Sequence, residues 1–568
     1  MENYHIAEIL EETAKLMELH GENPFKIRSY QNAALKIEKS LVKLDGKSIE
    51  ELEAMEGIGK SLSQKIHHLL VHKSLPDLEK LLQDTPPGVR EMLKLKGLGP
   101  KKTALLWKEL QIESPGELLY ACNENRLVEL KGFGSKTQDI LKKSVEYILS
   151  KRGHFHYAYG ERVAYEFIKA IQLINNSIPL QITGALRRKC ETIDSIQFIA
   201  PLATESTLQE AISSLPAELY HSTDCTKGDI QLTGPGDIKI QILFYEETEE
   251  AWNLWKTTGN EKHISLCFQK QPIGESDLKK LKSEMEIYEQ FHLPYLEPEF
   301  REGLHEIEKA VSKKLPAKLI TTEHLKGILH NHSTYSDGKN TLEEMAIACR
   351  DKGYQYLGIS DHSKTAFYAG GLSIERVIAQ QEEIAILNTK LAPFRIFSGI
   401  ESDILADGSL DYPDEILGRF DFIVASVHSG LRMDSEKATA RLLKAIRNPY
   451  TTILGHPTGR LLLAREGYPI NYEEILKACA EENVVVELNA HPYRLDLDWR
   501  WIDYAVQLGL KISINPDAHS IEGYGDMYYG VAVARKGFLS VEDTFNALSL
   551  EEITEWFKKK KSALGSIK

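Results

Sequence analysis

The sequence is poor in cysteine and has no long hydrophobic run. Its six cysteines are scattered over 568 residues without a Cys-x-x-Cys spacing, which argues against a disulfide framework and against a zinc knuckle. No apolar stretch approaches the length of a membrane span, and the acidic, amphipathic N-terminus is not a secretory signal. We therefore expect no membrane partner and a cytoplasmic location.

Basic residues are outnumbered by acidic ones, 69 to 83. The formal net charge is −14, which at first counts against nucleic acid as a partner. This value is a sum over the whole chain, however, and DNA binding needs only a local basic surface. A chain of this length is too long for one hydrophobic core, so three or four domains are predicted.

Seven short apolar runs between residues 325 and 519 each end on a metal-binding type of side chain. The runs are rich in Val, Ile and Leu and alternate mostly with helical stretches, which predicts buried parallel strands covered by helices. A closed or nearly closed barrel follows. In such barrels the loops at the carboxyl ends of the strands carry the chemistry, and the polar residues at those ends are His330, His332, Asp361, His362, Glu401, His428, His456, Glu487, Asp517 and His519.

Several of these residues are spaced to act together. His330 and His332 are two apart on a strand and point to the same side, as do Asp517 and His519. One such histidine is commonly structural, but all seven runs end this way. Imidazoles mixed with carboxylates suit Zn²⁺, Mn²⁺ or Fe²⁺, and there are more ligands than one ion needs. The pattern predicts two or three metal ions that share bridging carboxylates.

These residues resemble the polymerase and histidinol phosphatase (PHP) domain found at the C-terminus of bacterial family X DNA polymerases. The resemblance covers residues 325–568 and implies a trinuclear site with nine ligands: His330, His332, Asp337, His362, Glu401, His428, His456, Asp517 and His519. It also implies phosphoester hydrolysis, in which clustered metals activate water for attack on phosphorus. Gly-x-Ser-x-Gly is absent from this region, and no protein nucleophile is required.

Two basic residues follow predicted ligands closely. Lys364 and Arg460 are candidates for holding a substrate phosphate, because a cation beside the metals can pair with its oxygens. The alternative for each is a solvated charge on a loop.

Residues 1–150 are predicted to be helical and contain three similar units. Each unit has an apolar helix end, then Gly-apolar-Gly, then a basic residue near the start of another helix. The glycines permit a tight turn with exposed N–H groups, and the next helix presents its N-terminus to an anion. This pattern resembles the helix-hairpin-helix motif and predicts binding to the DNA backbone through Gly57, Gly59, Lys60, Gly97, Gly99, Lys101, Lys102, Gly132, Gly134 and Lys136. A helix C-cap explains a single copy equally well.

The order of these pieces is also similar to family X polymerases. In relatives with lyase activity, a lysine six residues after the second hairpin glycine forms a Schiff base with an abasic sugar, and Lys65 occupies that position. An amine can react in this way only when it is partly deprotonated. An ordinary surface lysine is the alternative.

The middle third resembles the polymerase palm but departs from its catalytic pattern. Placed on that pattern, the two adjacent catalytic aspartates become Ser195 and Gln197, and the third becomes Gln241. Two-metal nucleotidyl transfer needs carboxylates to hold magnesium, so this palm is predicted to lack polymerase activity. Asp194 lies one residue away from the pattern and could restore one carboxylate but not three.

The sequence therefore predicts a multidomain protein. The predicted segments are an N-terminal helical domain with the first hairpin (1–85), a helix-hairpin-helix region (86–152), an α+β nucleotidyltransferase-like palm and thumb (153–303), a linker (304–324) and a distorted (β/α)7-type barrel (325–568). The expected function is a bacterial, nucleoid-associated DNA phosphodiesterase of DNA repair. Its substrates would be gapped, nicked or 3′-terminated DNA, and its activity that of a 3′–5′ exonuclease, an abasic-site endonuclease or a 3′-phosphatase. The alternatives are an active gap-filling polymerase with exonuclease, a small-molecule phosphatase and a non-catalytic DNA-binding scaffold.

Overall fold

The computed structural model describes residues 1–565 except 41, 129, 131, 151 and 227. These residues form two compact units. The first comprises Met1–Asn123 and Leu127–Glu146, and the second comprises Glu124–Arg126 and the chain from Tyr147 onward. Among the described residues, no helix has the length and hydropathy needed to cross a membrane.

The first unit is helical, as predicted. Five of its helices begin with proline, whose fixed φ suits the first helical turn. Buried aliphatic side chains such as Ile6, Leu10 and Ile66 form its interior. The helices of this region are α1 Asn3–His20, α2 Pro24–Glu38, α3 Ile49–Glu53, α4 Lys60–His72, α5 Pro76–Asp84, α6 Pro87–Met92, α7 Pro100–Leu110, α8 Pro115–Asn123 and α9 Ser135–Ser150.

The palm is the first part of the second unit. It contains a two-stranded ribbon, β1–β3, and a five-stranded sheet in the order β2-β4-β7-β6-β5. Strands β4 and β7 are parallel, and the other neighbouring strands of the five-stranded sheet are antiparallel. Its elements are β1 Phe155–His156, α10 Tyr157–Ile174, β2 Gln181–Thr183, α11 Gly184–Arg187, β3 Thr192–Ile193, β4 Ser195–Pro201, α12 Glu205–Ser213, β5 His221–Thr226, β6 Asp229–Thr233 and β7 Lys239–Tyr245.

Short helices follow the palm and lead to the barrel. They enclose an aromatic cluster in which Trp255 is fully buried and stacks on Phe291 at 5.6 Å between ring centroids. These helices are α13 Glu250–Thr258, α14 Glu261–Lys270, α15 Glu275–Leu278, α16 Glu284–Gln290 and α17 Glu306–Val311.

The rest of the chain forms the predicted barrel. Seven parallel strands follow one another in the order β14-β13-β12-β11-β10-β9-β8. The two outer strands approach each other: the amide of His332 donates to the carbonyl of Ala518 at 2.9 Å, so the barrel is nearly closed. The elements are β8 Gly327–Ile328, α18 Leu342–Asp351, β9 Tyr356–Ile359, α19 Ile374–Leu391, β10 Arg395–Asp403, α20 Asp414–Leu417, β11 Phe422–Ser426, α21 Ser435–Ile446, β12 Ile453–Leu454, α22 Tyr472–Glu481, β13 Val485–Asn489, α23 Ile502–Gln507, β14 Ile512–Asn515, α24 Met527–Lys536 and α25 Leu550–Gly565.

Alternate residues of the barrel strands fall into two separate apolar clusters. In β11, Ile423 belongs to the cluster under the surrounding helices, whereas Phe422 and Val424 belong to a second cluster that includes Phe557 of α25. This is the period-two alternation of a strand. The second cluster fills the inside of the barrel at one end. Inward-facing residues further along each strand line the inside at the other end.

Candidate metal centre

The candidate site lies where the barrel strands end. Glu401 has the same parity along β10 as the inward-facing Phe397, so it points to the inside of the barrel beyond the apolar filling. His330 follows β8, His428 follows β11 and His456 follows β12. The structure brings all nine predicted ligand residues together at this mouth.

Their donor atoms form overlapping groups. One group contains His332, Asp337, His362 and His519, a second contains His330, His332 and Asp517, and a third contains His362, Glu401 and His428. Within each group the donor atoms lie within 4.8 Å of one another. Because His332 and His362 each belong to two groups, the arrangement suits several ions that share side chains.

Glu401 lies at the middle of the cluster. Its Oε1 is 3.0 Å from His456 Nε2 and 3.1 Å from His428 Nε2, and its Oε2 is 2.9 Å from His362 Nδ1. His330 Nε2 lies 3.3 Å from the same Oε1. A carboxylate with both oxygens among imidazoles is placed to bridge two ions.

The donor atoms fit divalent metals. Many of them are buried without a hydrogen-bond partner, namely His330 Nε2, His332 Nδ1, both carboxylate oxygens of Asp337, both ring nitrogens of His362, Glu401 Oε2, His456 Nδ1 and His519 Nε2. Such atoms are costly unless something binds them. Nitrogen and oxygen donors without sulfur suit Zn²⁺, Mn²⁺ or Fe²⁺.

A second layer of polar groups orients the imidazoles. Glu487 lies 2.7 Å from His330 Nδ1, and Asp403 lies 2.5 Å from His428 Nδ1. Asn489 Nδ2 donates to Asp517 at 3.1 Å. Such partners fix the ring tautomer and leave the other nitrogen for a metal. Glu487 ends a predicted strand, whereas Asp403 and Asn489 were not predicted.

Asp361, also at a predicted strand end, is turned away from the donor groups. It accepts hydrogen bonds from the Ser333 amide at 2.7 Å and from Gln380 at 2.6 Å, and Ser336 donates its hydroxyl as well. It therefore anchors the loop after β8.

Electrostatics keep the carboxylates of the cluster ionised and divide its imidazoles. Burial opposes ionisation of Asp337 and Glu401, but neighbouring imidazoles outweigh burial and hold the pKa of both carboxylates well below the usual range. Burial, followed by the charges of His519 and His362, lowers the pKa of His332 to about 3. For His330, His362, His428 and His519 the neighbouring carboxylates outweigh burial and raise the pKa. Metal ions bind neutral imidazoles, so metal binding at these four histidines would release protons.

The two predicted phosphate-binding residues occupy different surroundings. Lys364 is exposed, with its ammonium 5.8 Å from the Tyr412 ring centroid. The guanidinium of Arg460 is largely buried and pairs with Glu191 and Asp498. A phosphate role for Arg460 would require these ion pairs to open.

A buried cation that sequence reasoning missed is closer to the cluster. Arg494 is only 3% exposed, and its Nε lies 3.9 Å from Asp517 Oδ2. It lies in the loop after β13, so no strand-end pattern marks it. The sequence feature that could have indicated Arg494 is its position in a charged segment that follows the strand containing Glu487.

Glu124 also lies at the cluster, within the second unit. Its carboxylate oxygen is within 4.8 Å of donor atoms of Asp517 and His519. The side chain is 2% exposed and pairs with Arg126 at 2.5 Å. No feature of the sequence near residue 124 indicated this position.

The palm residues show what replaces the catalytic carboxylates. Gln197 of β4 is paired in register with Gln241 of β7, and its amide donates to the Gln241 side chain at 3.1 Å. Gln241 in turn donates to Asp229 at 3.1 Å. Ser195 donates to the exposed Asp194 at 3.0 Å. Two hydrogen-bonded amide side chains thus occupy the positions at which the polymerase pattern has catalytic aspartates.

Two consecutive arginines of the palm, Arg187 and Arg188, also pair with carboxylates of the protein. Arg187 makes two hydrogen bonds to Glu284, at 2.8 and 2.7 Å between nitrogen and oxygen. Arg188 pairs with Glu302 at 3.0 Å. Neither guanidinium is open to a nucleotide in this arrangement.

The three glycine motifs of the helical region form turns before helices. Gly57, Gly97 and Gly132 have φ of 88°, 94° and 90°, a region that favours glycine. Gly59 and Gly99 are the N-caps of α4 and α7. The next helix after the third motif is α9, which includes Lys136.

The lysines of these motifs face solvent to different degrees. Lys60, Lys101 and Lys136 are exposed, and Lys102 is partly exposed. Exposed lysines at the start of a helix suit contacts with phosphates.

Lys65 is held inside the first unit. Its ammonium lies 2.5 Å from Asp77 Oδ2 and donates to the Tyr30 hydroxyl at 3.0 Å. The side chain is 29% exposed.

A helical hairpin region, a polymerase-type palm and a metal-binding barrel together define a DNA-acting protein with a metal-dependent phosphoesterase domain. The helix-hairpin-helix domain family matches residues 1–75, the SAM-like helix-hairpin-helix tandem family matches 89–142, and the PHP domain family matches 329–491. The "DNA polymerase/3'-5' exonuclease PolX" of Bacillus subtilis (strain 168) is 34% identical over 98% of this chain and 100% of its own length. The chain belongs to the bacterial family X DNA polymerases with a C-terminal PHP domain.

Other relatives match less than half of this chain. A "Probable phosphatase" of Thermoanaerobacter sp. (strain X514) is 27% identical over 44% of this chain and 98% of its own length. A "Probable phosphatase" of Caldanaerobacter subterraneus is 24% identical over 44% of this chain and 96% of its own length.

Proposed function

We propose that this protein is a metal-dependent phosphodiesterase of DNA repair that shortens DNA from 3′ ends, on a polymerase scaffold without nucleotidyl-transfer activity. The observation that carries the proposal is the convergence of nine metal-binding side chains at one barrel mouth, many with buried donor atoms that lack partners. The Bacillus relative is named as both a polymerase and an exonuclease. The residues of this chain support the second activity.

We propose that these residues hold two or three Mn²⁺, Zn²⁺ or Fe²⁺ ions, and the donor groups support the proposal. The first group is His332, Asp337, His362 and His519, the second is His330, His332 and Asp517, and the third is His362, Glu401 and His428. His456 completes the surroundings of Glu401 at 3.0 Å. When bound, such ions supply Lewis acidity for the attack of water on phosphorus.

The chain's own residues prepare the site for a phosphodiester. Glu487 binds Nδ1 of His330 and so directs Nε2 into the cluster. Asn489 fixes Asp517 in the same way. Arg494 places a buried positive charge beside Asp517, where it can pair with a phosphate oxygen. Because this guanidinium is buried, its attraction for an anion is screened less than that of the exposed Lys364.

We propose that the palm is inactive because it lacks the negatively charged side chains that nucleotidyl transfer needs. Nucleotidyl transfer requires carboxylates that hold two magnesium ions against a triphosphate. Neutral Gln197 and Gln241 satisfy each other, and the carboxylate nearest to them is Asp229 on β6. Together with the exposed Asp194, this leaves two carboxylates, and neither is at a predicted catalytic position.

The helical hairpins favour DNA as the substrate. Their exposed lysines and helix N-termini suit the backbone of gapped, nicked or 3′-terminated DNA. Abasic-site endonuclease and 3′-phosphatase activities would use the same attack on phosphorus and differ in how the strand enters the mouth. Lyase activity at Lys65 would require release of its ammonium from Asp77.

A gapped template with a 5′-labelled primer, Mn²⁺ and all four dNTPs tests the proposal. We expect shortened primer, and we expect the shortening to be lost when His330 and His332 are changed to Ala. Lengthened primer would contradict the proposal for Gln197 and Gln241. Unchanged primer in the wild type would contradict the exonuclease.

A small-molecule phosphatase is the second candidate, because relatives that match 44% of this chain are named as probable phosphatases. Hydrolysis of p-nitrophenyl phosphate faster than of a DNA 3′ end at equal concentration would favour it.

A further inference from the structure

The loop that carries Arg494 is held by hydrogen bonds within itself and by contacts from neighbouring segments. This β13–α23 loop, residues 490–498, leaves the strand that contains Glu487 and includes Leu495 in a left-handed conformation, with φ of 48°. It returns to β13, since the amide of Leu497 donates to the Glu487 carbonyl at 3.2 Å. A shift of this loop would therefore move Arg494 relative to Asp517.

Arg460 donates hydrogen bonds to the backbone of this loop. Its Nε donates to the carbonyl of Arg494 at 3.0 Å, and its Nη2 donates to the carbonyl of Leu495. Its Nη1 pairs with Asp498 at 3.0 Å. The guanidinium is thus bonded to three loop positions, including the backbone of the residue that faces the metal cluster.

The palm holds this guanidinium from the other side. Arg460 Nη2 also pairs with Glu191, and the two side chains are only 14% and 11% exposed. Glu191 immediately precedes β3, and its carbonyl accepts from the amide of Tyr157. A buried carboxylate on a short, paired strand is a fixed partner, and loss of a buried partner is costly.

A second palm residue reaches the same loop. His156 of β1 stacks on Tyr493 with ring centroids 4.0 Å apart. Its Nε2 lies 2.9 Å from the carbonyl of Leu462, whose amide donates to the carbonyl of Tyr493 at 2.7 Å. Strands β1 and β3 pair His156 with Thr192, so both contacts come from one ribbon of the palm.

We propose that Glu191 and His156 are positioning residues of the phosphodiesterase: the palm ribbon braces the β13–α23 loop and so holds Arg494 against Asp517. This inference rests on the proposed function for its catalytic consequence, but the brace itself does not. In this role the palm, which lacks the catalytic carboxylates, would support catalysis in the barrel by positioning Arg494.

The first test measures the brace without any activity. Glu191→Gln removes the charge and keeps the shape, and hydrogen–deuterium exchange of peptides from residues 490–498 reports on the loop. We expect exchange about tenfold faster in this variant, because a buried guanidinium loses one of its two carboxylates. The matched control is Glu284→Gln, which removes the charge of a buried carboxylate that pairs with Arg187 and Arg301 instead of Arg460. Equal exchange in wild type and Glu191→Gln would overturn the proposal.

The second test asks whether the brace acts through Arg494. With Mn²⁺ and bis(p-nitrophenyl) phosphate, which needs no DNA-binding region, we expect Glu191→Gln to lower kcat/KM about tenfold and Glu284→Gln to leave it unchanged. In an Arg494→Ala background, Glu191→Gln should not lower kcat/KM further, because the effects of substitutions at coupled residues are not additive. A full tenfold loss in that background would overturn the positioning role.

The outcomes separate the brace from the proposed function. Faster loop exchange in Glu191→Gln, with no hydrolysis by the wild type of either the diester or a primer, would contradict the phosphodiesterase and leave the brace supported. If Glu191→Gln does not fold, His156→Gln tests the other contact of the palm ribbon with this loop, with the same peptides. In that variant, unchanged exchange at residues 490–498 would refute the brace.

Discussion

Glu401→Gln is the substitution that tests the metal cluster most directly. The change keeps the shape of the side chain and removes its charge. Both oxygens of Glu401 face imidazole nitrogens at 2.9 to 3.6 Å, from His330, His332, His362, His428 and His456. No other carboxylate of the described chain has so many of the predicted ligands around it.

The expected magnitude follows from burial. Removal of one partner from a buried charged pair costs about 3–5 kcal/mol. At about 1.4 kcal/mol per factor of ten, the affinity of the site for Mn²⁺ should fall by about 10²- to 10⁴-fold. Primer shortening at low Mn²⁺ should fall in proportion, and excess Mn²⁺ should restore part of it, because the other ligands remain.

Two measurements check this prediction. Equilibrium dialysis with elemental analysis gives the bound metal, and the rate of primer shortening is followed over a range of Mn²⁺ concentrations. Glu383→Gln is the control, because Glu383 accepts from Tyr335 at 2.7 Å in the same barrel but outside the cluster. Wild-type metal content and rate in Glu401→Gln would refute the bridging position of Glu401.

Three further predictions concern stability and DNA binding. Mn²⁺ added after chelation should raise the melting temperature in scanning calorimetry, since a ligand at 100 times its Kd adds about 2.7 kcal/mol; identical melting curves would count against metal binding by the folded state. Replacing Lys60, Lys101 or Lys136 with Ala should each lower the slope of log affinity against log salt by about 0.9 in fluorescence anisotropy with duplex DNA, and an unchanged slope would exclude that lysine from phosphate contact. Gly97→Ala should cost about 1–2 kcal/mol in urea unfolding because φ is 94°, whereas Gly99→Ala, at an extended N-cap, should cost less; equal losses would contradict the reason given for Gly97.

The barrel and its cluster were predictable because strand periodicity is local. An apolar run that ends on His428 or on Glu401 specifies both the strand and the end at which the side chain emerges. The strand ends indicated eight of the nine predicted ligands, and the resemblance to the PHP domain supplied the complete set with Asp337. The register of Gln197 opposite Gln241 likewise follows from the resemblance to a known palm.

Contacts that depend on loop paths were not predictable. Arg494 and Glu124 reach the cluster from loops that carry no periodic pattern. Arg460 follows a ligand in sequence, which suggested a phosphate partner, but the fold gives it Glu191 and Asp498 instead. A short distance in sequence from a ligand does not predict contact with the bound substrate where the chain turns between the two residues.

The metal cluster draws its side chains from the first and the last strands of the barrel. His332 follows the first strand, and His519 follows the last, so two nearby donor atoms are separated by almost the whole domain along the chain. Contacts of such long sequence separation form late in folding, and during synthesis the N-terminal helices emerge first. A nascent chain can therefore acquire its DNA-binding hairpins well before it has a complete centre. Any product of interrupted translation that ends before residue 519 would keep the helical hairpins and lack His519 of the proposed metal centre.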